Sequence, residues 1–159
     1  NSLSKSHCMT GWRIGWCVAP PNIAKAVQTF HQLAVMCVSS LSQYAAIHAL
    51  RGFADQELRS NLEELGKRRD FAMACVDRYT GFPYVVPAGT FYLFVDISGR
   101  LAKFDNSLDA ALKLLAAEKV VTIPGSAFGR IGEGYLRISF APGLDTLEEG
   151  IRRVGRFFR

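Results

Sequence analysis

The sequence predicts a chain of mixed α/β class whose C-terminal part is an α+β arrangement, a small mixed sheet backed by helices on one face. Three observations lead there. Apolar residues recur at three- and four-residue steps up to Tyr79, Gly81-Phe82-Pro83 then breaks the pattern, and short strand-like runs alternate with helical ones beyond it. The order after Tyr79 reads strand, strand, helix, strand, strand, helix, which a crossover helix can gather into one sheet.

Each element has its own reason. Over residues 11–19, Trp12, Ile14, Trp16 and Val18 alternate with Arg13, Gly15 and Cys17, a strand pattern in which Gly11 and Gly15 leave the Arg13 side open. Pro20-Pro21-Asn22 ends that strand and starts a helix from Ile23 to Val38. A second helix runs from Ser39-Ser40 to Arg51, with Gly52 as its stop. Leu58, Leu62, Leu65, Ala72 and Val76 mark the longest helix, Asp55 to Tyr79. Strands follow at Tyr84–Val86 and Thr90–Ile97, then a helix from Ser107 to Lys119 with Leu108, Leu112 and Leu115 in register. Val120–Ile123 and Tyr135–Ala141 read as strands. The last helix opens on a capping box, Asp145 with Glu148, and carries Leu147, Ile151, Val154 and Phe158 on one stripe.

A length of 159 residues suits one domain, or one domain with part of another. Apolar residues at 49% and charged residues at 21% suffice for a core and exclude a disordered chain. The net charge of +5 gathers at Lys67-Arg68-Arg69 and from Arg152-Arg153 to Arg159, in helical segments, and no nucleic-acid motif accompanies it. It reads as solvated helix faces, so no nucleic-acid partner is expected. No apolar run reaches spanning length, which predicts no membrane partner, and no secretory signal is visible. Cys8, Cys17, Cys37 and Cys75 have no short paired spacing, and His7, His31 and His48 form no ligand pair. A reduced, cytoplasmic setting without a metal site is the expectation.

The chemistry concentrates at two places. Near the start stands Ser2-Leu3-Ser4-Lys5, followed by Gly11-Trp12-Arg13-Ile14-Gly15. A lysine amine condenses with an aldehyde, and a guanidinium fork holds a phosphate bidentately. An amine of that kind beside hydroxyls and an arginine is what a pyridoxal phosphate site requires. The second place is Tyr135-Leu136-Arg137-Ile138-Ser139-Phe140, where Leu136, Ile138 and Phe140 share one face and Arg137 points to the other. A charge among apolar neighbours needs a partner, either a structural ion pair or a substrate carboxylate.

Together these segments resemble the cofactor-lysine signature and the Tyr-Leu-Arg-Ile-Ser-Phe-Ala segment of class I/II pyridoxal phosphate-dependent aminotransferases of fold type I. The resemblance implies that Lys5 is the catalytic residue and carries the cofactor as a Schiff base, and that Ser2 and Arg13 bind its phosphate. It implies that Arg137 holds the α-carboxylate of the amino acid. Pro124-Gly125-Ser126-Ala127-Phe128-Gly129 resembles the family's substrate-proximal turn. Gly89-Thr90-Phe91-Tyr92 resembles a turn whose aromatics approach the substrate, although Phe91 and Tyr92 read as packing residues.

The likeness maps to the C-terminal part of the family's fold. The expectation is therefore a fragment, with residues 1–52 the end of the large cofactor domain and 53–159 the linking helix and small domain. The parent is expected to be a homodimeric aminotransferase acting on an amino acid and a 2-oxo acid, and the piece alone is expected to be inactive. A carbon–sulfur lyase of the same fold, and the aminotransferase-like domain of a transcription regulator, share these residues and stay open as alternatives.

Overall fold

The computed structural model describes residues 1–159, which divide into two compact units, Asn1–Leu62 and Glu63–Arg159. The division falls inside one helix.

In the first unit α1 (Leu3–Ser6) is a single turn, followed by α2 (Pro21–Val35) and α3 (Ser40–Leu50). α2 starts on a proline at its first helical position, where the missing N–H costs nothing. It ends three residues earlier than expected, at Val35. The strand expected over 11–19 does not form. Thr10–Trp12 is a 3₁₀ turn, Arg13 is left-handed (φ 52°), and pairing is confined to one bridge, Ser2 to Gly15. An alternating run becomes a strand when one face is buried, and here Trp12 is 48% exposed and Val18 93% exposed. Leu3, Ser42 and Ala46 are the buried residues of this unit.

The second unit is built around a sheet with one buried face. α4 (Asp55–Tyr79) has the bounds that the periodicity predicted, and Gly81 follows it at φ 64°. Its N-terminal leucines are not core: Leu62 is 68% exposed, and the buried face is Ala72, Cys75 and Val76. β1 (Tyr92–Asp96), β2 (Ile123–Pro124) and β3 (Tyr135–Ser139) form a sheet in the order β1-β3-β2. Both pairings are antiparallel, so the sheet is antiparallel throughout rather than mixed. The reason is topological: α5 (Ser107–Glu118) carries the chain over between β1 and β2, and β3 inserts between them. The segment expected as a strand at Tyr84–Val86 contributes one bridge, Tyr84 to Val95, because Pro83 and Pro87 on either side have no N–H to donate. Of Val120–Ile123 only Ile123 enters the sheet.

One face of the sheet is the core. Leu93, Val95, Leu136 and Ile138 pack with Phe140, Ala110, Leu114, Ile151 and Val154, and each large apolar side chain buried this way contributes roughly 1.5–3 kcal/mol. α5 turns Ala110, Ala111 and Leu114 inward, while the leucines expected to face the core, Leu108, Leu112 and Leu115, are 48%, 57% and 40% exposed. Small residues let this helix lie close to its neighbours. α6 (Leu144–Phe157) buries its expected stripe, but no capping box forms: its N-cap is Gly143, without a side-chain bond. Gly155 lies against the carbonyl of Tyr79, where a Cβ would overlap it. Cys75 is buried in this core and burial pushes its thiol pKa up, whereas Cys8, Cys17 and Cys37 are exposed on the first unit.

Candidate functional site

The predicted residues fall in both units, and each group has its own framework. In the first unit, Ser2 caps α1: its hydroxyl accepts from the Ser4 N–H at 2.9 Å and donates to the Ile14 carbonyl at 3.4 Å. The Leu3 N–H donates to the same carbonyl, and the Trp16 N–H donates to the Asn1 carbonyl at 2.8 Å. These bonds fold residues 13–16 back over residues 1–3. They need a glycine at 15, since a Cβ there would come within 2.7 Å of the Asn1 carbonyl oxygen. Gly15 thus serves a close approach of the chain's own backbone, not an open face for a ligand.

Lys5 is on α1 and exposed. Arg13 follows the 3₁₀ turn, and its Nη1 donates to the Thr10 carbonyl at 3.0 Å while its charge enters no ion pair within the chain. The bridge therefore brings Ser2 beside the segment that carries Arg13, and Lys5 stands one turn along from Ser2. An amine, a hydroxyl and an unneutralised guanidinium are a donor set suited to a phosphorylated aldehyde.

In the second unit, the sheet face opposite the core carries Tyr92, Phe94 and Asp96 from β1 and Tyr135, Arg137 and Ser139 from β3, all half-buried. Arg137 pairs in register with Phe94. Its guanidinium carbon stands 4.0 Å from the ring centre of Tyr92, a diagonal neighbour, and 4.8 Å from that of Phe128. Phe94 stacks on Tyr135 at 4.9 Å and meets Phe128 edge-on at 6.0 Å. Arg137 takes part in no ion pair with a carboxylate of this chain.

Phe128 reaches Arg137 from the 3₁₀ turn Gly125–Phe128, which a second turn, Arg130–Gly132, closes back on itself. Gly125 and Gly132 meet backbone to backbone, and a Cβ on either would overlap the carbonyl of the other. Glu133 extends from this turn to the start of α5, accepting from the Ser107 N–H at 2.7 Å and the Ser107 hydroxyl at 3.0 Å. The Ser107 backbone N–H holds its carboxyl below the usual range. Sequence reasoning did not find Tyr92 and Phe128 as neighbours of Arg137. The alternation of β1 puts Tyr92 on the Arg137 face, but nothing local places Phe128 there. No cluster of His, Cys, Asp and Glu is grouped to hold a metal ion, and no helix is long and apolar enough to cross a membrane.

Comparison with known proteins identifies the family and the fold. The family described as aminotransferase class I and II matches residues 1–154. The chain is 44% identical over 160 residues to a probable N-acetyl-LL-diaminopimelate aminotransferase of Bacillus subtilis, covering 99% of this chain and 39% of that protein. It is 38% identical to an aspartate aminotransferase of Pyrococcus horikoshii, covering 97% of this chain and 39% of the relative. Among solved structures, an aromatic aminotransferase from Pyrococcus horikoshii superposes with a TM-score of 0.88 at 35% identity, over 98% of this chain and 41% of that one. The chain thus spans about two fifths of the length of the proteins it matches.

Proposed function

From the premise that this chain belongs to the class I and II aminotransferase family, we propose that the protein carrying it moves an amino group between an amino acid and a 2-oxo acid with pyridoxal phosphate. The observation that carries the reading is Arg137: a half-buried guanidinium on an exposed sheet face, with aromatic rings around it and no carboxylate of its own chain. A fork in that state suits one planar anion. The matched proteins are named for N-acetyl-LL-diaminopimelate, aspartate or aromatic substrates, whose side chains have little in common. What an amino donor and its 2-oxo product share is the carboxylate, the group Arg137 would hold.

When bound, pyridoxal phosphate supplies an electron sink that lets the Cα proton of an amino acid leave. The chain's own residues do the rest. Arg13 binds the phosphate and stays charged at any working pH, with the Ser2 hydroxyl as a further donor once it turns from Ile14. Lys5 would hold the cofactor, and its Nζ would take and return the Cα proton of the substrate. Arg137 fixes the substrate by its carboxylate, so that the Cα–H bond is oriented before the proton moves. In domain terms, residues 1–52 are read as the end of the large cofactor domain and residues 53–159 as the linking helix and small C-terminal domain of a homodimeric, cytoplasmic enzyme. Nothing in the chain favours elimination or a regulatory role over amino transfer.

The test uses the cofactor-loaded protein that carries this chain. Borohydride reduction followed by mass spectrometry should fix the cofactor on the peptide containing Lys5. Lys5→Ala should abolish that adduct and lower turnover by about 10²- to 10⁴-fold. Arg137→Ala should raise KM and cost kcat/KM about 1.5–3 kcal/mol, the worth of a charge-assisted hydrogen bond. An adduct on a different lysine, or unchanged KM for Arg137→Ala, would overturn the assignment.

A further inference from the structure

A buried or half-buried arginine is ordinarily held in place by a carboxylate, which orients the fork but also occupies its N–H donors and cancels its charge. Arg137 is held differently. Its guanidinium carbon lies 4.0 Å from the Tyr92 ring centre and 4.8 Å from that of Phe128. Aromatic rings attract a cation through their π faces without offering it a carboxylate oxygen. They restrict where the group can be while leaving its charge uncompensated and its donors available.

The rings are themselves positioned. Tyr92 is fixed by the β1–β3 register, which pairs it with Ser139, next on the same face after Arg137. Phe128 is 54% exposed and comes from a turn anchored by the Gly125–Gly132 contact, with its ring edge-on to Phe94 at 6.0 Å. The turn thus delivers a ring that contacts both Phe94 and the guanidinium.

We propose that Tyr92 and Phe128 are positioning residues for Arg137, a pair of rings that orients the guanidinium in place of a carboxylate and so keeps its charge and its fork for the substrate carboxylate. This rests on the reading of Arg137 as the carboxylate anchor. It adds a specificity statement: carboxylate affinity depends on two side chains that are themselves uncharged, and it should respond to ring character rather than to side-chain size.

The experiment titrates 3-phenylpropanoate, a carboxylate with no amino group to react, into the cofactor-loaded protein that carries this chain, using calorimetry. Phe128→Leu and Tyr92→Leu are each expected to weaken binding by roughly 3- to 30-fold. Phe128→Trp and Tyr92→Phe, which keep a π face, should stay within about twofold of the parent or bind tighter. In steady state, Phe128→Leu should raise the amino-acid KM by a similar factor with kcat nearly constant. Because Phe128 is half exposed, its replacement opens no core, and the Trp variant separates ring loss from misfolding. If Arg137→Ala abolishes binding while both Leu variants bind like the parent, the ring proposal is overturned and the anchor reading stands. Equal weakening by Phe128→Trp and Phe128→Leu also overturns it. If Arg137→Ala itself leaves binding unchanged, the anchor reading fails and the proposal with it.

Discussion

α2 in the first unit buries none of its 15 residues, while β3 in the second has Leu136 at 0% and Ile138 at 9% exposure within five residues. The two units therefore hold their chemistry by different means. Ser2 and the Arg13 segment are kept together by backbone bonds, a left-handed turn and one glycine, over a stretch where Leu3 alone is buried. Arg137 is kept in place by sheet register above a continuous apolar core. The proposed phosphate-binding segment, made of backbone bonds, is specified locally. The proposed carboxylate anchor, set on a sheet face, depends on the core of the second unit.

Mutation can break that contrast at its strongest point. Leu136→Ala should destabilise the chain by about 2–5 kcal/mol, since it opens a cavity in a sealed core. Leu33→Ala, at a position 81% exposed, should stay within about 0.5 kcal/mol. Urea unfolding of the two variants measures both; similar losses would mean the first unit has a core of its own. Gly125→Ala should cost about 1–3 kcal/mol by pushing the Gly125–Phe128 turn off Gly132, and should also weaken carboxylate binding because Phe128 moves with it. Gly11→Ala, where a Cβ meets nothing within 4 Å, is the matched control in the first unit.

A smaller effect sharpens the comparison through pH. The carboxyls held below their usual range, Asp109, Glu118, Glu133 and Glu149, all lie in the second unit. Their causes are Lys113 for Asp109, Arg156 for Glu118, the Ser107 N–H for Glu133, and Arg153 with Arg152 for Glu149. A carboxyl whose folded pKa is depressed stabilises the fold above its unfolded pKa, near 4, and that contribution is lost as pH falls through the folded value. Thermal unfolding followed from pH 7 down to pH 3 should show the second unit losing stability with acid. Glu133→Gln should reduce the slope, and an unchanged slope would remove Glu133 from the account.

Legibility in the sequence followed the same divide. α4 could be bounded because Asp55, the periodic stretch and Gly81 all gave local signals that agree. Arg137 could be placed on the free face because alternation is enforced where one side is buried. Alternation over 11–19 misled because Trp12, Trp16 and Val18 have no face to bury against within their unit, so turn geometry prevailed. In α5 the leucines looked like the core stripe, yet close packing selected Ala110 and Ala111. The Tyr92–Arg137–Phe128 arrangement joins a strand, its diagonal neighbour and a remote turn, and no short-range pattern encodes such a meeting.

The placement of sulfur has a practical consequence. A thiolate reacts where a thiol does not, and burial raises the Cys75 pKa while also blocking access. A mild alkylating reagent should modify Cys8, Cys17 and Cys37 at once and reach Cys75 only on molecules in which the core of the second unit has opened. The chain thereby carries its own stopwatch for that opening, read as a delayed fourth mass increment with no label added.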